Sequence, residues 1–304
     1  MRSEVNRRER DVFQTYHPLV NFLFFAIVLG FAMMLNHPLA QVISCVAAIG
    51  YAIQCEGKKA VIFSVKTCIP MVLLTTFFNP AFNHRGVTIL LYFPTGNPLT
   101  LESILYGIST GMLLATVMMW FINFNRVLTS DKWMYLFGRV MPCMSLILSM
   151  TLRFVPKLKT QMMQIVETQR CIGRDVSTGS LWSRMKTAIT IVSILITWSL
   201  EDAIETADSM KSRGFGLKGR TAFSIYRFDE RDRMAMAWFG SCGWYVLMGT
   251  VALAFGFRYL PSIQWVGINQ YTIGVYVGYT LLCASPILFN YLEDKKWKSM
   301  DCKM

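Results

Sequence analysis

Charge is what this sequence most lacks, and the gaps have a telling length. From Val12 to Cys55 there is no Asp, Glu, Lys or Arg. As one helix this run would extend about 66 Å at ~1.5 Å per residue, twice the hydrocarbon core of a bilayer. Two membrane-crossing helices must share it, and the turn-forming triplet Asn36, His37, Pro38 is the natural break. Further uncharged stretches run from Thr67 to His84, Ser103 to Asn125, Met234 to Phe257 and Tyr259 to Leu292, each long enough for a span of about 17 to 25 residues. Only 16% of residues are charged, against about 25% in soluble domains, so a water-soluble globular protein is excluded. The expectation is an all-α integral membrane protein with about six transmembrane helices. No small-residue cleavage site follows the first apolar run, and the pattern repeats down the chain, so a removable signal peptide is not expected.

Metal-ligand patterns are missing too. The eight Cys form no C-x-x-C pair and mostly lie in apolar runs, where Cys packs as a small hydrophobe. His17, His37 and His84 are scattered beside Pro or turn residues. No disulfide framework, metal site, cofactor or catalytic residue is indicated.

What charge there is, is mostly basic: 30 Lys and Arg against 18 Asp and Glu. Cations are retained on the cytoplasmic flanks during insertion. Arg2, Arg7, Arg8 and Arg10 then place the N-terminus inside. Lys58 and Lys59 mark an inner loop, and Lys295, Lys296, Lys298 and Lys303 place the C-terminus inside. Six spans leave only Arg85 and Arg258 outside, and an odd number would put one basic terminus on the wrong side. Anionic lipid and the insertion rule account for the net charge of +12 without nucleic acid.

The spacing predicts three parts: residues 1–124 with four spans, a cytoplasmic module over 125–233, and residues 234–304 with two spans and a basic tail. Between Arg126 and Arg233 lie 17 of the 30 cations together with ten acids. Inside this wet segment, Val140 to Leu152 and Thr187 to Leu200 are uncharged but short, which fits interfacial or protein-covered helices lying under the spans. Val155, Leu158, Met162, Ile165 and Ile172 then mark one amphipathic helix, stopped by Gly173. Leu200, Ala203, Ala207 and Met210 mark a second, which ends at Arg213-Gly214. A cation in the last turn followed by glycine is ordinary helix capping. Two such tips in one membrane-hugging segment point instead to docking of a soluble partner.

On these residues the chain resembles the transmembrane T component of energy-coupling-factor transporters, the CbiQ-like family. The resemblance runs through Tyr16-His17-Pro18, Thr129-Ser130-Asp131-Lys132 and Leu152-Arg153-Phe154-Val155-Pro156 to Met210-Lys211-Ser212-Arg213-Gly214-Phe215-Gly216. It implies a non-catalytic scaffold whose two coupling helices each end in an Ala-Arg-Gly-like motif. Each motif docks on one of two ABC-type ATPase subunits, driving a small membrane S component that carries a vitamin or a transition-metal ion. Ser212-Arg213-Gly214 matches the second motif with Ser for Ala. The first falls on Cys171-Ile172-Gly173, where Ile172 replaces the arginine and Arg170 and Arg174 flank the site.

Two rival readings remain on residue patterns. Gly214 to Thr221 nearly spells a phosphate-binding loop, but Arg220 stands for the lysine and an amphipathic helix precedes it where a buried strand is required. Glu201, Asp202, Glu205 and Asp208 cluster within two turns and suggest a membrane-embedded Mg²⁺ enzyme acting on a lipid diphosphate. No span carries the second acidic cluster such chemistry needs, and a solvated face with an Asp208–Lys211 pair is the plainer account. A stand-alone channel or secondary transporter is disfavoured, because Lys66 and Glu102 are the only candidate intramembrane charges and both sit near helix ends.

Overall fold

The computed structural model describes residues 11–301 except 84–85, 93–97, 176–179, 218–225, 253, 261, 266 and 268. The N-terminal arginines, His84, Arg85, Lys303 and the Gly219 to Thr221 stretch of the phosphate-loop match lie outside the described residues. The described chain is nearly all helix: α1 (Val12–Thr15), α2 (Pro18–Met34), α3 (Pro38–Glu56), α4 (Lys58–Phe82), α5 (Leu101–Val127), α6 (Ser130–Val140), α7 (Pro142–Cys171), α8 (Leu181–Ser212), α9 (Glu230–Val251) and α10 (Gln270–Asp301). Two small antiparallel hairpins interrupt it, β1 (Ile89–Tyr92) with β2 (Pro98–Thr100) and β3 (Phe257–Arg258) with β4 (Gln264–Trp265).

Among the described residues, five helical segments have the length and apolarity to cross a membrane: Pro38–Glu56, Lys59–Phe82, Leu101–Val127, Leu181–Ser212 and Gln270–Glu293; Pro18–Met34 is apolar but shorter. With the shorter Pro18–Met34 the apolar helices among the described residues come to six, as many as the spans expected, but they are not the same six. Segment α8 has that length and apolarity although Thr187 to Leu200 was expected to be a short helix under the spans. Segment α9 falls short of that apolarity because Trp238, Gly240, Ser241, Gly243, Trp244 and Tyr245 dilute its apolar content.

The wet segment also differs from expectation in continuity. Val140 to Leu152 does not form a separate helix: from Pro142 it continues unbroken through Pro156 to Cys171. Thr187 to Leu200 likewise continues to Ser212. The change from an apolar to an amphipathic pattern looked like a boundary, yet it involves no helix-stopping residue except Pro156, which removes a single N–H donor from the ladder.

The chain forms two compact units, one of residues 1–133 and 226–304 and the other of residues 134–225. The first unit has an aromatic centre in which Phe13, Phe24, Phe25, Trp120 and Phe239 are fully buried and meet mostly edge to face. Polar rungs join α3 to α5: Ser109 Oγ donates to Gln41 Oε1 at 2.9 Å, Trp120 Nε1 to Ser44 Oγ at 2.9 Å, and Asn123 Nδ2 to the Ala48 carbonyl at 3.0 Å. Where apolar burial offers little gain over lipid, such bonds and close backbone contact hold helices together. The close contact is between α5 and α4: a Cβ on Gly107 would lie 3.0 Å from the Thr75 carbonyl oxygen, and one on Gly111 2.7 Å from Val72 Cα.

His17 and His37 both cap helices. Each precedes a proline at the first helical position and accepts through Nδ1 from the backbone N–H two residues on, at 3.2 Å. Glu102, in the first turn of α5, is 4% exposed and accepts from the Thr88 N–H at 3.1 Å and the Thr88 hydroxyl at 2.7 Å, which ties the first hairpin to the start of α5.

Candidate functional site: two helix tips

The second unit is built on the pair α7 and α8. Between them Phe154 stacks on Trp198, with centroids 6.2 Å apart and planes 6° from parallel. Lys157 Nζ lies 2.5 Å from Asp202 Oδ1 and 5.1 Å from the Trp198 ring centre. This cluster was missed in the sequence, where Asp202 was read as solvated. The signal was spacing: Phe154 and Lys157 are three apart, Trp198 and Asp202 four apart, so each pair shares one helix face. The Asp208–Lys211 pair expected on the solvated face does not form. Among the described residues no three of His, Cys, Asp or Glu come together in a way that would hold a metal ion.

The tips of α7 and α8 close in the same way. At the first, the N–H of Gly173 donates to the Arg170 carbonyl at 3.0 Å and that of Arg174 to the Gln169 carbonyl at 3.0 Å. At the second, Gly214 donates to Lys211 at 3.0 Å and Phe215 to Met210 at 3.0 Å. Both are the glycine-terminated cap in which a six-residue loop of hydrogen bonds satisfies the last carbonyls. Gly173 and Gly214 have φ of 80° and 79°, where a side chain would strain the backbone. Ile172 and Arg213 occupy the same position, the last residue before the glycine, with φ of −87° and −84°.

Position is where their equivalence stops. Ile172 is 66% exposed, an isoleucine held out in solvent. Arg213 is also exposed and has no ion pair among the described residues. Ser212 donates back to the Ser209 carbonyl at 2.8 Å, which finishes the helix. Beside Ile172, Arg170 Nε lies 3.3 Å from Asp175 Oδ2, so its charge is already directed within its own tip. Arg174 is exposed and carries no ion pair among the described residues. Both tips therefore present a hydrogen-bonded, exposed cap, one with a guanidinium on the last residue and one with that charge displaced past the glycine. For the phosphate-loop reading, the segment before Gly214 is the 32-residue helix α8 rather than a strand.

No protein-family model matches the chain. Individual relatives do. The energy-coupling factor transporter transmembrane protein EcfT 1 of Listeria monocytogenes serotype 1/2a is 30% identical over 200 residues, 60% of this chain and 73% of that protein. EcfT of Bacillus selenitireducens is 27% identical over 237 residues, covering 73% of this chain and 87% of the relative. EcfT of Lactobacillus helveticus is 36% identical over 96 residues, about a third of each chain: 31% of this one and 35% of the other.

Proposed function

Because the chain belongs to the family of energy-coupling factor transporter transmembrane proteins, a non-catalytic membrane subunit, we propose that it couples two ABC-type ATPase subunits, docked at the tips of α7 and α8, to a small substrate-binding membrane subunit. The observation that carries this reading is the matched pair of glycine-closed caps at the ends of 30- and 32-residue helices. A hydrogen-bonded, exposed cap holds one side chain past the last turn at little entropic loss, which suits insertion into a groove on a partner. Arg213 offers five donors in a planar fork to carboxylates or carbonyls there. At the first tip, Arg174 supplies the cation that Ile172 does not, while Arg170 stays with Asp175.

Both termini lie in the cytoplasm in this reading, with α7 and α8 along the inner membrane face. In support, Thr187 to Leu200 is the longest uncharged stretch of α8 and extends only about 21 Å, less than a ~30 Å hydrocarbon core. The substrate-binding subunit is of the kind that carries a vitamin or a transition-metal ion.

Transport by the reconstituted complex tests the docking. Arg213→Ala should abolish most ATP-driven uptake while the chain stays in the membrane, and Arg213→Lys should restore only part of it. If Arg213 merely caps its helix, the loss is limited to about 1 kcal/mol and lysine restores it fully. Near-normal uptake by the Ala variant would sink the docking role.

A further inference from the structure

Two of the motifs that carry the family resemblance, Tyr16-His17-Pro18 and Thr129-Ser130-Asp131-Lys132, have no part in the helix tips. The fold brings them together. Residues 134–225 join the rest of the chain through two connections, one leading in at Lys132-Trp133 and one leading back from Tyr226 to Asp232. Both are fastened to the same stretch, Asp11 to His17.

On the way in, Lys132 is 4% exposed and donates from Nζ to the Gln14 carbonyl at 2.5 Å. In the amide orientation that satisfies both its neighbours, Asn21 accepts from the same ammonium at 2.6 Å and donates to the Phe13 carbonyl at 3.1 Å. On the way back, Asp232 is 3% exposed and accepts from the His17 N–H at 3.0 Å through Oδ1 and from the Asp229 N–H at 3.2 Å through Oδ2. Arg231 lies over the Tyr16 ring at 4.6 Å, and the His17 ring meets Phe228 edge on at 5.2 Å.

The stretch is itself pinned to two long helices. Asp11 accepts from the Tyr51 hydroxyl of α3 at 3.0 Å and from Asn290 Nδ2 of α10 at 2.9 Å, while Asn290 Oδ1 accepts from the Phe13 N–H at 2.9 Å. A buried ammonium or carboxylate is an expensive way to join segments, and an apolar contact would serve stability as well or better. What a charged group adds is a single satisfied geometry, so displacing it leads to a discrete alternative and not to a gradual yielding.

We infer that Asp11 to His17 is a clasp that holds both connections of the second unit to α3 and α10, and that Lys132 and Asp232 are positioning residues through which movement of residues 134–225 reaches the spans. The clasp stands on the contacts alone; its part in coupling rests on the function proposed above.

Lys132→Met keeps the length of the side chain and removes its donor, and Asp232→Asn keeps one of two acceptors and removes the charge. Hydrogen exchange on the full chain in nanodiscs reads the clasp without any partner. In both variants the amides of Gln14 to His17 should exchange at least tenfold faster, with α3 and α10 unchanged. Unchanged exchange at Gln14 to His17 in both variants would overturn the clasp. The complex with its ATPases in proteoliposomes then reads coupling as uptake per ATP hydrolysed. That ratio should fall fivefold or more in each variant while the ATPases still copurify, and a wild-type ratio would overturn the coupling role. A wild-type chain that copurifies no ATPase refutes the proposed function and the coupling role with it, leaving the clasp to be judged on exchange alone. If Lys132→Met fails to insert, Asp232→Asn decides both readouts.

Discussion

The unit formed by residues 1–133 and 226–304 has a filled interior, whereas the described residues of the unit 134–225 have almost none. In the first, rings and polar rungs fill the interior, and even the charged Asp11, Lys132 and Asp232 are enclosed and bonded. In the second, Ile165, Thr187 and Ile191 are the buried residues of α7 and α8 among those described, while Val155, Met162, Ile189, Val192, Leu200 and Ile204 stay exposed. An apolar surface of that extent is stable only against lipid or another protein. Helix α4 of the first unit is as exposed, with Ile62, Leu73, Phe77 and Phe82 uncovered, so the contrast lies in the interior: the first unit encloses an aromatic and polar core, and α7 and α8 enclose almost none.

Breaking that contrast from the first side gives the largest expected effect. Gly111→Leu puts a side chain into the backbone of α4, so the variant should fail to give a monodisperse peak in detergent. The matching change in the second unit, Gly173→Ala, meets no atom within 4 Å and should leave the peak intact, at about 1 kcal/mol of local strain from its positive φ.

Next in size are the tip charges, where Arg174→Gln should reduce ATP-driven uptake severalfold and Arg170→Gln much less. Equal losses would mean that the Asp175 pair does not withdraw Arg170 from docking. Ile172→Ala should be milder than either unless a partner pocket receives the isoleucine, in which case the loss approaches that of about 1.5 to 3 kcal/mol of apolar burial.

A pH titration separates the enclosed cation from the exposed ones. Burial, offset in part by the charge of Asp11, lowers the pKa of Lys132 to about 8. Between about 8 and the ordinary 10.5 the unfolded chain then binds more protons than the folded one, so stability rises with pH across that window. Thermal unfolding should show the wild type gaining on Lys132→Met as pH is raised from 7 to 10, with no such trend for Arg174→Gln.

The smallest effects are single bonds. Trp120→Phe loses the donation to Ser44 and should destabilise by roughly 0.6 kcal/mol, the usual size for a hydrogen bond between membrane helices. Lys157→Ala should lower stability by about 1 kcal/mol or less, because Lys157 is half exposed, and added salt should shrink the difference.

Much of this architecture was legible in order along the chain. The run from Val12 to Cys55 splits at Asn36-His37-Pro38, and α2 does end at Met34 with α3 starting at Pro38. Gly173 and Gly214 both stop helices, because the left-handed residue a helix needs to close its last carbonyls is a local demand that glycine meets. The continuity of α7 and α8 was not legible, since a change in which face is apolar reads as a boundary although the backbone ladder continues through it.

Membership of the six apolar helices was blurred for the same reason. Hydropathy reflects a residue's own side chain and not its neighbours, so α8 is apolar enough to cross a membrane and α9 is less so, while Phe239 and Val246 of α9 are fully buried in the first unit.

By itself the sequence determined where helices start, stop and lose charge, because capping, glycine conformation and the expulsion of ions from hydrocarbon act within a few residues. The tertiary structure alone decided which polar groups meet. Asn123 finds the Ala48 carbonyl, Arg170 is claimed by Asp175, and Lys132 and Asp232, a hundred residues apart, fasten to one stretch near the start of the chain. A buried donor must have an acceptor somewhere, but its composition says nothing about how far along the chain that acceptor lies, and only packing the helices settles it.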